Sequence, residues 1–291
     1  MTISTPARHT AARSSWHRFT AALGVVVAVA AAAVVVGVSS AAAAPEAGGA
    51  DGGVDDAPSQ TFRSPSTGRV GRYRIWANGL DTSRPVGLML QFHGDGGAEF
   101  DRPDSAYSLG GAAGLREQAR RHNMILVALR SPDGGSPVWW RSGGVKADYV
   151  RDLVEQVVYA HHDVARDRSW LVGYSGGAEF ITRFLLPKHS SLFGGGGAVL
   201  FGGGGEPVVD GDSFAPTFVA DFPMYWYTGA SDDGTCADSD YNALGDAREG
   251  SSFYRAAGFP VTLRTPAGLC HDLTGRFGPV TGERLDLRYG G

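Results

Sequence analysis

Cysteine is nearly missing from this chain: Cys236 and Cys270 are the only two among 291 residues. No Cys-x-x-Cys or paired-His spacing accompanies them, and two thiols alone cannot complete a zinc site, so no metal is expected. Acidic side chains are absent before Glu46. A clustered basic stripe is also lacking. With 26 Lys and Arg against 30 Asp and Glu, the formal net charge is −4, which gives nucleic acid no electrostatic foothold. The glycine clusters form no repeat.

What is present is the composition of a folded protein: 43% hydrophobic, 10% aromatic and 19% charged residues, in a length that suits one large domain. Glycine, at 43 residues, stands at about twice its usual share. Much of it lies in Gly194 to Gly197 and Gly202 to Gly205, which read as turns at strand ends.

At the N-terminus, Arg8, Arg13 and Arg18 precede an apolar run from Ala21 to Val38, and small residues fill Ser39 to Ala44. This is a signal-peptide pattern, with cleavage expected after Ala44, a mature chain from Pro45 and a secreted product. A retained membrane anchor is the alternative, but the Ala-rich run and its small-residue end favour cleavage. Without those three Arg the formal charge becomes −7. No Cys lies near the cleavage point, so a lipid anchor there is not expected, nor is stable membrane association after cleavage. In an exported chain, Cys236 and Cys270 read as a disulfide, with two unpaired thiols as the alternative. Residues 45–66, rich in Gly, Ala, Asp and Pro, read as a flexible lead, and residues 67–291 as the folded domain.

Strands are expected at Val70 to Trp76, Val86 to Phe92, Met124 to Ala128, Ser169 to Gly173, Ala198 to Phe201, Met224 to Thr228 and Val261 to Arg264. Several are continuous apolar runs, suited to strands covered by helices on both faces. Val150, Leu153, Val154, Val157 and Val158 recur at helical spacing and place an amphipathic helix over Ala147 to His161. A second helix should follow Gly177. The alternation predicts an α/β fold with one mainly parallel sheet in a single domain.

Gly173-Tyr174-Ser175-Gly176-Gly177 is a G-x-S-x-G motif set between the Ser169 strand and the helix after Gly177, the context that makes this motif specific to the α/β-hydrolase fold. Such a turn exposes the Ser175 hydroxyl as a nucleophile. A hydroxyl needs a base, and the base an acid, in the chain order Ser, acid, His. Only His189 and His271 follow Ser175, and His189 lies too close behind it, near the end of the same helix; His271 is the expected base. The acid should follow the Met224 strand, where Asp232 is the choice and Asp233 the alternative. Asp221 precedes that strand, while Asp238 and Asp240 read as helix caps.

Two N–H donors should hold the oxyanion: Gly176, and one from His93-Gly94-Asp95-Gly96-Gly97, with Asp95 first and Gly96 second. His93 reads as a structural residue of that loop. Trp139 and Trp140 are candidates for a substrate floor, with core packing as the alternative for each, and Tyr174 for the acyl pocket.

Phe92-His93-Gly94-Asp95-Gly96-Gly97, Trp140 with Asp148, the elbow, Gly229-Ala230-Ser231-Asp232 and His271 together resemble the secreted esterases grouped with polyhydroxybutyrate depolymerases and feruloyl or acetylxylan esterases. The likeness spans most of residues 68–291. It implies ester hydrolysis through an acyl-enzyme without metal or organic cofactor, and no defined substrate; a monomer acting on small-molecule or polymer-borne esters is expected. Asp95 departs from the group's usual oxyanion loop, and no appended polymer-binding domain is recognisable. A secreted peptidase, an acyltransferase and a non-catalytic binding protein are the competing readings.

Overall fold

The structure, a computed structural model, describes residues 57–291 apart from positions 212, 238 and 291. The expected signal segment, residues 45–56 of the expected lead, and Asp238 lie outside the described residues.

Eight strands form one sheet: β1 (Ala57–Arg63), β2 (Val70–Trp76), β3 (Gly87–Phe92), β4 (Met124–Arg130), β5 (Ser169–Tyr174), β6 (Gly196–Phe201), β7 (Met224–Tyr227) and β8 (Val261–Arg264). Their order is β1-β2-β4-β3-β5-β6-β7-β8. Among the described residues only the β1–β2 and β2–β4 strand pairs are antiparallel. β3 and β6 are buried along their whole length, while β2 alternates between exposed and buried residues. That contrast follows from position: central strands carry helices on both faces, and strands near the edge show one face to water.

β1 corrects the sequence reading, which placed residues 45–66 in a flexible lead. Its backbone pairs with β2, Tyr73 donates to Gln60 Oε1 at 2.6 Å, and Ser64 Oγ donates to Asp152 Oδ2 at 2.6 Å. Polar residues made this segment look like linker, yet an edge strand needs little apolar surface when its backbone bonds are satisfied.

Apolar side chains pack on both faces. Trp139, Tyr149, Val150, Phe180 and Trp226 belong to one cluster; Trp170, Phe201, Phe277 and Leu285 belong to the other. The amphipathic helix begins earlier than its apolar pattern suggests, at Gly143, and runs to Leu153 before widening over Val154–Tyr159. Its first turn is fastened by fully buried Lys146, whose Nζ donates to Asp133 Oδ2 at 2.6 Å.

The parallel registers align the C-terminal ends of the strands. Phe92, Gly173, Leu200, Trp226 and Leu263 form one row across β3, β5, β6, β7 and β8. Loops leaving that row emerge side by side, the usual location of a site in such a sheet.

Candidate active site

Ser175 lies at the end of the central strand β5, between Tyr174 and a helix that starts at Gly176. Its backbone has φ 51° and ψ −118°, a conformation that costs a non-glycine residue about 1–3 kcal/mol and must be imposed by its surroundings. They do impose it. Ser175 N–H donates to Phe201 O at 2.8 Å, and Glu179 N–H returns to Ser175 O at 3.0 Å. A Cβ on Gly177 would strike the Phe92 and His93 carbonyls, and one on Gly173 would meet the Gly177 backbone. The turn is therefore as tight as backbone contact permits.

His271 follows β8 and Asp232 follows β7, each two strands or more from the elbow in the sheet. The loops nevertheless converge. His271 Nε2 lies 2.9 Å from Ser175 Oγ, and His271 Nδ1 lies 2.8 Å from Asp232 Oδ2. With Asp232 ionised, Nδ1 carries the proton and Nε2 is left to accept from the hydroxyl. Asp232 is completely buried, and its backbone is held by Gly229 O and Leu244 N. Asp233 turns outward instead and accepts from Thr235 N and Oγ1, at 3.1 and 2.6 Å. His189 bonds Asp148 at 2.8 Å, away from this relay.

β3 neighbours β5, so the loop after Phe92 runs alongside the elbow. Neither Asp95 N nor Gly176 N has an acceptor among the described residues, whereas Gly96 N donates to Pro137 O at 3.0 Å. Gly176 follows Ser175 directly and the Asp95 side chain abuts it, while Gly96, the second choice from the sequence, is already committed to structure. His93 secures the loop: Nδ1 donates to Gly94 O at 2.6 Å and Nε2 accepts from Ser131 N at 3.0 Å. Burial pushes the His93 pKa down to about 4, so the ring is neutral and both bonds persist at neutral pH. Gly94 N in turn donates to buried Glu99 at 3.2 Å.

Trp139 does not line the site. It is fully buried against Phe92, Phe180 and His93, and the expectation of a substrate floor is corrected to a core role. Trp140, its neighbour, points the other way: 40% exposed, it donates Nε1–H to Asp95 Oδ2 at 2.9 Å. Desolvation of the Asp95 carboxyl tip pushes its pKa up, opposed by the Trp140 bond and by the charges of Lys146, Arg141 and His271. Tyr174 is half-buried; its ring packs 5.2 Å from that of His271 and its hydroxyl donates to His271 O at 2.9 Å. Through these contacts it supports the histidine.

Two residues of the site were missed in the sequence. The Tyr241 ring stands edge-on to His271 at 5.8 Å, and its hydroxyl is held by Glu179, with Asp246 Oδ2 3.0 Å away. Glu179 is buried one helical turn after Ser175, where it pairs with Arg183 and accepts from Gly204 N at 2.6 Å and Gly205 N at 3.4 Å. Burial pushes its carboxyl up. The glycine run after β6 is thus a cradle of backbone donors as well as a turn. The available signal was an acidic residue between Ala178 and Phe180, on a helix face that otherwise reads as apolar.

Cys236 and Cys270 form a disulfide, with Cα atoms 6.1 Å apart. It ties the loop carrying Asp232 to the residue just before His271. Closing a loop of this sequence separation, 34 residues, should stabilise the fold by roughly 3–4 kcal/mol in the chain-entropy picture. The Cys236→Ser, Cys270→Ser double variant should lose about that much in urea denaturation. A loss under 1 kcal/mol would mean that other contacts already hold the two loops.

A surface cavity of about 530 Å³, lined in part by Arg84, Val86 and His162, opens beside the start of β3, at the opposite end of the strand from the loop after Phe92. Among the described residues there is no cluster of metal-ligating side chains, and no helix is long and apolar enough to cross a membrane.

No family model and no curated protein matches the chain. Solved structures do. A carboxylesterase from Bacillus cereus superposes with a TM-score of 0.53 and 21% identity, over 75% of this chain and 95% of that one. The chain has the α/β-hydrolase fold. An S-formylglutathione hydrolase from Agrobacterium tumefaciens gives 0.51 at 13% identity, over 80% and 97% of the two chains. An acylaminoacyl peptidase from Pyrococcus horikoshii gives 0.53 at 12%, over 81% of this chain and 41% of that one. At these identities the likeness speaks for the architecture, and the chemistry has to be argued from the site.

Proposed function

We propose that this α/β-hydrolase-fold chain is a secreted serine hydrolase that cleaves carboxylic esters through an acyl-enzyme. The observation that carries the reading is the continuous relay Ser175 Oγ, His271, Asp232, together with the unengaged N–H groups of Asp95 and Gly176. Ser175 Oγ attacks the ester carbonyl carbon while its proton passes to His271 Nε2. The oxyanion settles against Asp95 N–H and Gly176 N–H, and Asp232 stabilises the imidazolium. Collapse breaks the bond to the alcohol, which leaves with the proton from His271. Water then attacks the acyl-enzyme with His271 as base, releasing the acid and free Ser175. Carboxylesterases among the structural neighbours support an ester substrate. The resemblance of the elbow, Gly229-Ala230-Ser231-Asp232 and His271 to polyhydroxybutyrate depolymerases and feruloyl or acetylxylan esterases also supports ester hydrolysis, without naming the acyl group.

The chain from Pro45 onward should be labelled by a fluorophosphonate at Ser175, located by mass spectrometry, and should turn over short p-nitrophenyl esters faster than peptide p-nitroanilides. Labelling with the opposite preference would favour a peptidase. Absence of both labelling and turnover would leave only the binding-protein reading.

A further inference from the structure

Asp95 places a carboxyl group where the proposed chemistry has least use for a negative charge. Its Oδ1 abuts Gly176 so closely that it is the first atom a Cβ on that residue would strike. Gly176 also supplies one of the N–H groups facing the oxyanion. A fixed anion beside a developing anion raises the barrier, because like charges a few ångströms apart repel strongly in a partly dry site.

Among the described residues no cation makes a direct ion pair with this group, although the charges of Lys146, Arg141 and His271 reach it from further off. Oδ2 accepts from Trp140 Nε1, but Oδ1 has no hydrogen-bond partner among the described residues, and Asp95 joins no ion pair there. Of the three charges, Lys146 and Arg141 are turned elsewhere and His271 is bound to Ser175 and Asp232. Lys146 is bound to Asp133 and Val138 O, and the Arg141 guanidinium lies over the Trp140 ring, 5.4 Å from its centroid. Asp95 is an exposed residue, so Oδ1, beside Gly176, stands open to a cationic group on a bound substrate.

We propose that Asp95 is a specificity-determining residue, and that the preferred substrates are esters whose acyl group bears a protonated amine close to the scissile carbonyl. This rests on the ester-hydrolase reading above and names the substrate class for the same site. An ammonium donating to Oδ1 makes a charge-assisted hydrogen bond and cancels the local anion as the oxyanion forms. A neutral acyl group of the same shape leaves the repulsion in place. The interaction therefore acts on the transition state and appears in kcat as well as in KM.

The test compares p-nitrophenyl esters of alanine and of isobutyric acid, which differ by an ammonium in place of a methyl group, at a pH where the amine stays protonated. Wild type should favour the alanine ester in kcat/KM by about tenfold or more, the size of one charge-assisted bond. Asp95→Asn keeps the backbone N–H and an acceptor for Trp140. It should abolish that preference and raise kcat on the isobutyrate ester. Trp140→Phe removes the Trp140 bond but keeps the carboxylate, so the preference should survive in it.

If Asp95→Asn slows both esters alike and Trp140→Phe does the same, the carboxyl only positions the loop and the proposal is overturned. An unchanged ratio in Asp95→Asn overturns it equally. Failure of wild type to hydrolyse either ester or to take the fluorophosphonate overturns the hydrolase reading and this inference with it. Hydrolysis with no preference for the cation overturns the inference alone.

Discussion

Ser175→Ala should lower kcat on a short p-nitrophenyl ester by on the order of 10⁶-fold, as expected when an elbow nucleophile is removed from an intact relay. The loss is this large because the other members act only through Ser175. His271 Nε2 has its hydrogen bond to that hydroxyl, and in the proposed mechanism the Asp95 and Gly176 N–H groups stabilise an oxyanion that needs an attacking oxygen to form. Residual hydrolysis would come from a water activated by His271 and held near the same donors. Steady-state kinetics on protein whose urea midpoint matches or exceeds that of wild type would check this. A drop smaller than about 100-fold would mean that another group performs the attack.

Asp232→Asn should reduce kcat by about 10⁴-fold, while Asp233→Asn should stay within about twofold of wild type. The adjacent acids differ in what they touch: Asp232 is buried on His271 Nδ1, and Asp233 is bound up with Thr235 at the surface. An amide at 232 can donate to Nδ1, which favours the tautomer with its proton on Nε2. Nε2 then has no lone pair for the Ser175 proton. Stopped-flow or steady-state comparison of the two variants decides the matter, and equal effects would show that the acid had been misassigned.

These two variants also mark what could be read in the sequence. Order along the chain pointed to Ser175 and His271, because a strand, a sharp glycine turn and a helix leave a pattern of contiguous residues. The positions of β2 to β8 along the chain were legible as well, most plainly where a buried strand is a largely apolar run, as in β4 and β6. Asp232 and Asp233 could not be separated, since the side on which a loop residue points depends on contacts with Leu244 and Thr235 elsewhere in the loop. β1 stayed hidden because it is held by backbone pairing and a few polar bonds, which carry no hydrophobic period. Trp139 and Trp140 read identically in one dimension, yet one completes the core and the other reaches Asp95. Tyr241 and Glu179 escaped because they are 62 residues apart and meet only after the glycine run after β6 brings its N–H groups to the Glu179 carboxylate.

The positive φ at Ser175 sets durability against reactivity at a single residue. Glycine would adopt φ 51° and ψ −118° at no steric expense, relieving about 1 kcal/mol while keeping the Phe201 and Glu179 backbone bonds that shape the turn. Selection for heat resistance alone would therefore reward loss of the nucleophile. A library sorted by survival to heating should accumulate inert sequences at this position unless turnover is selected in the same round.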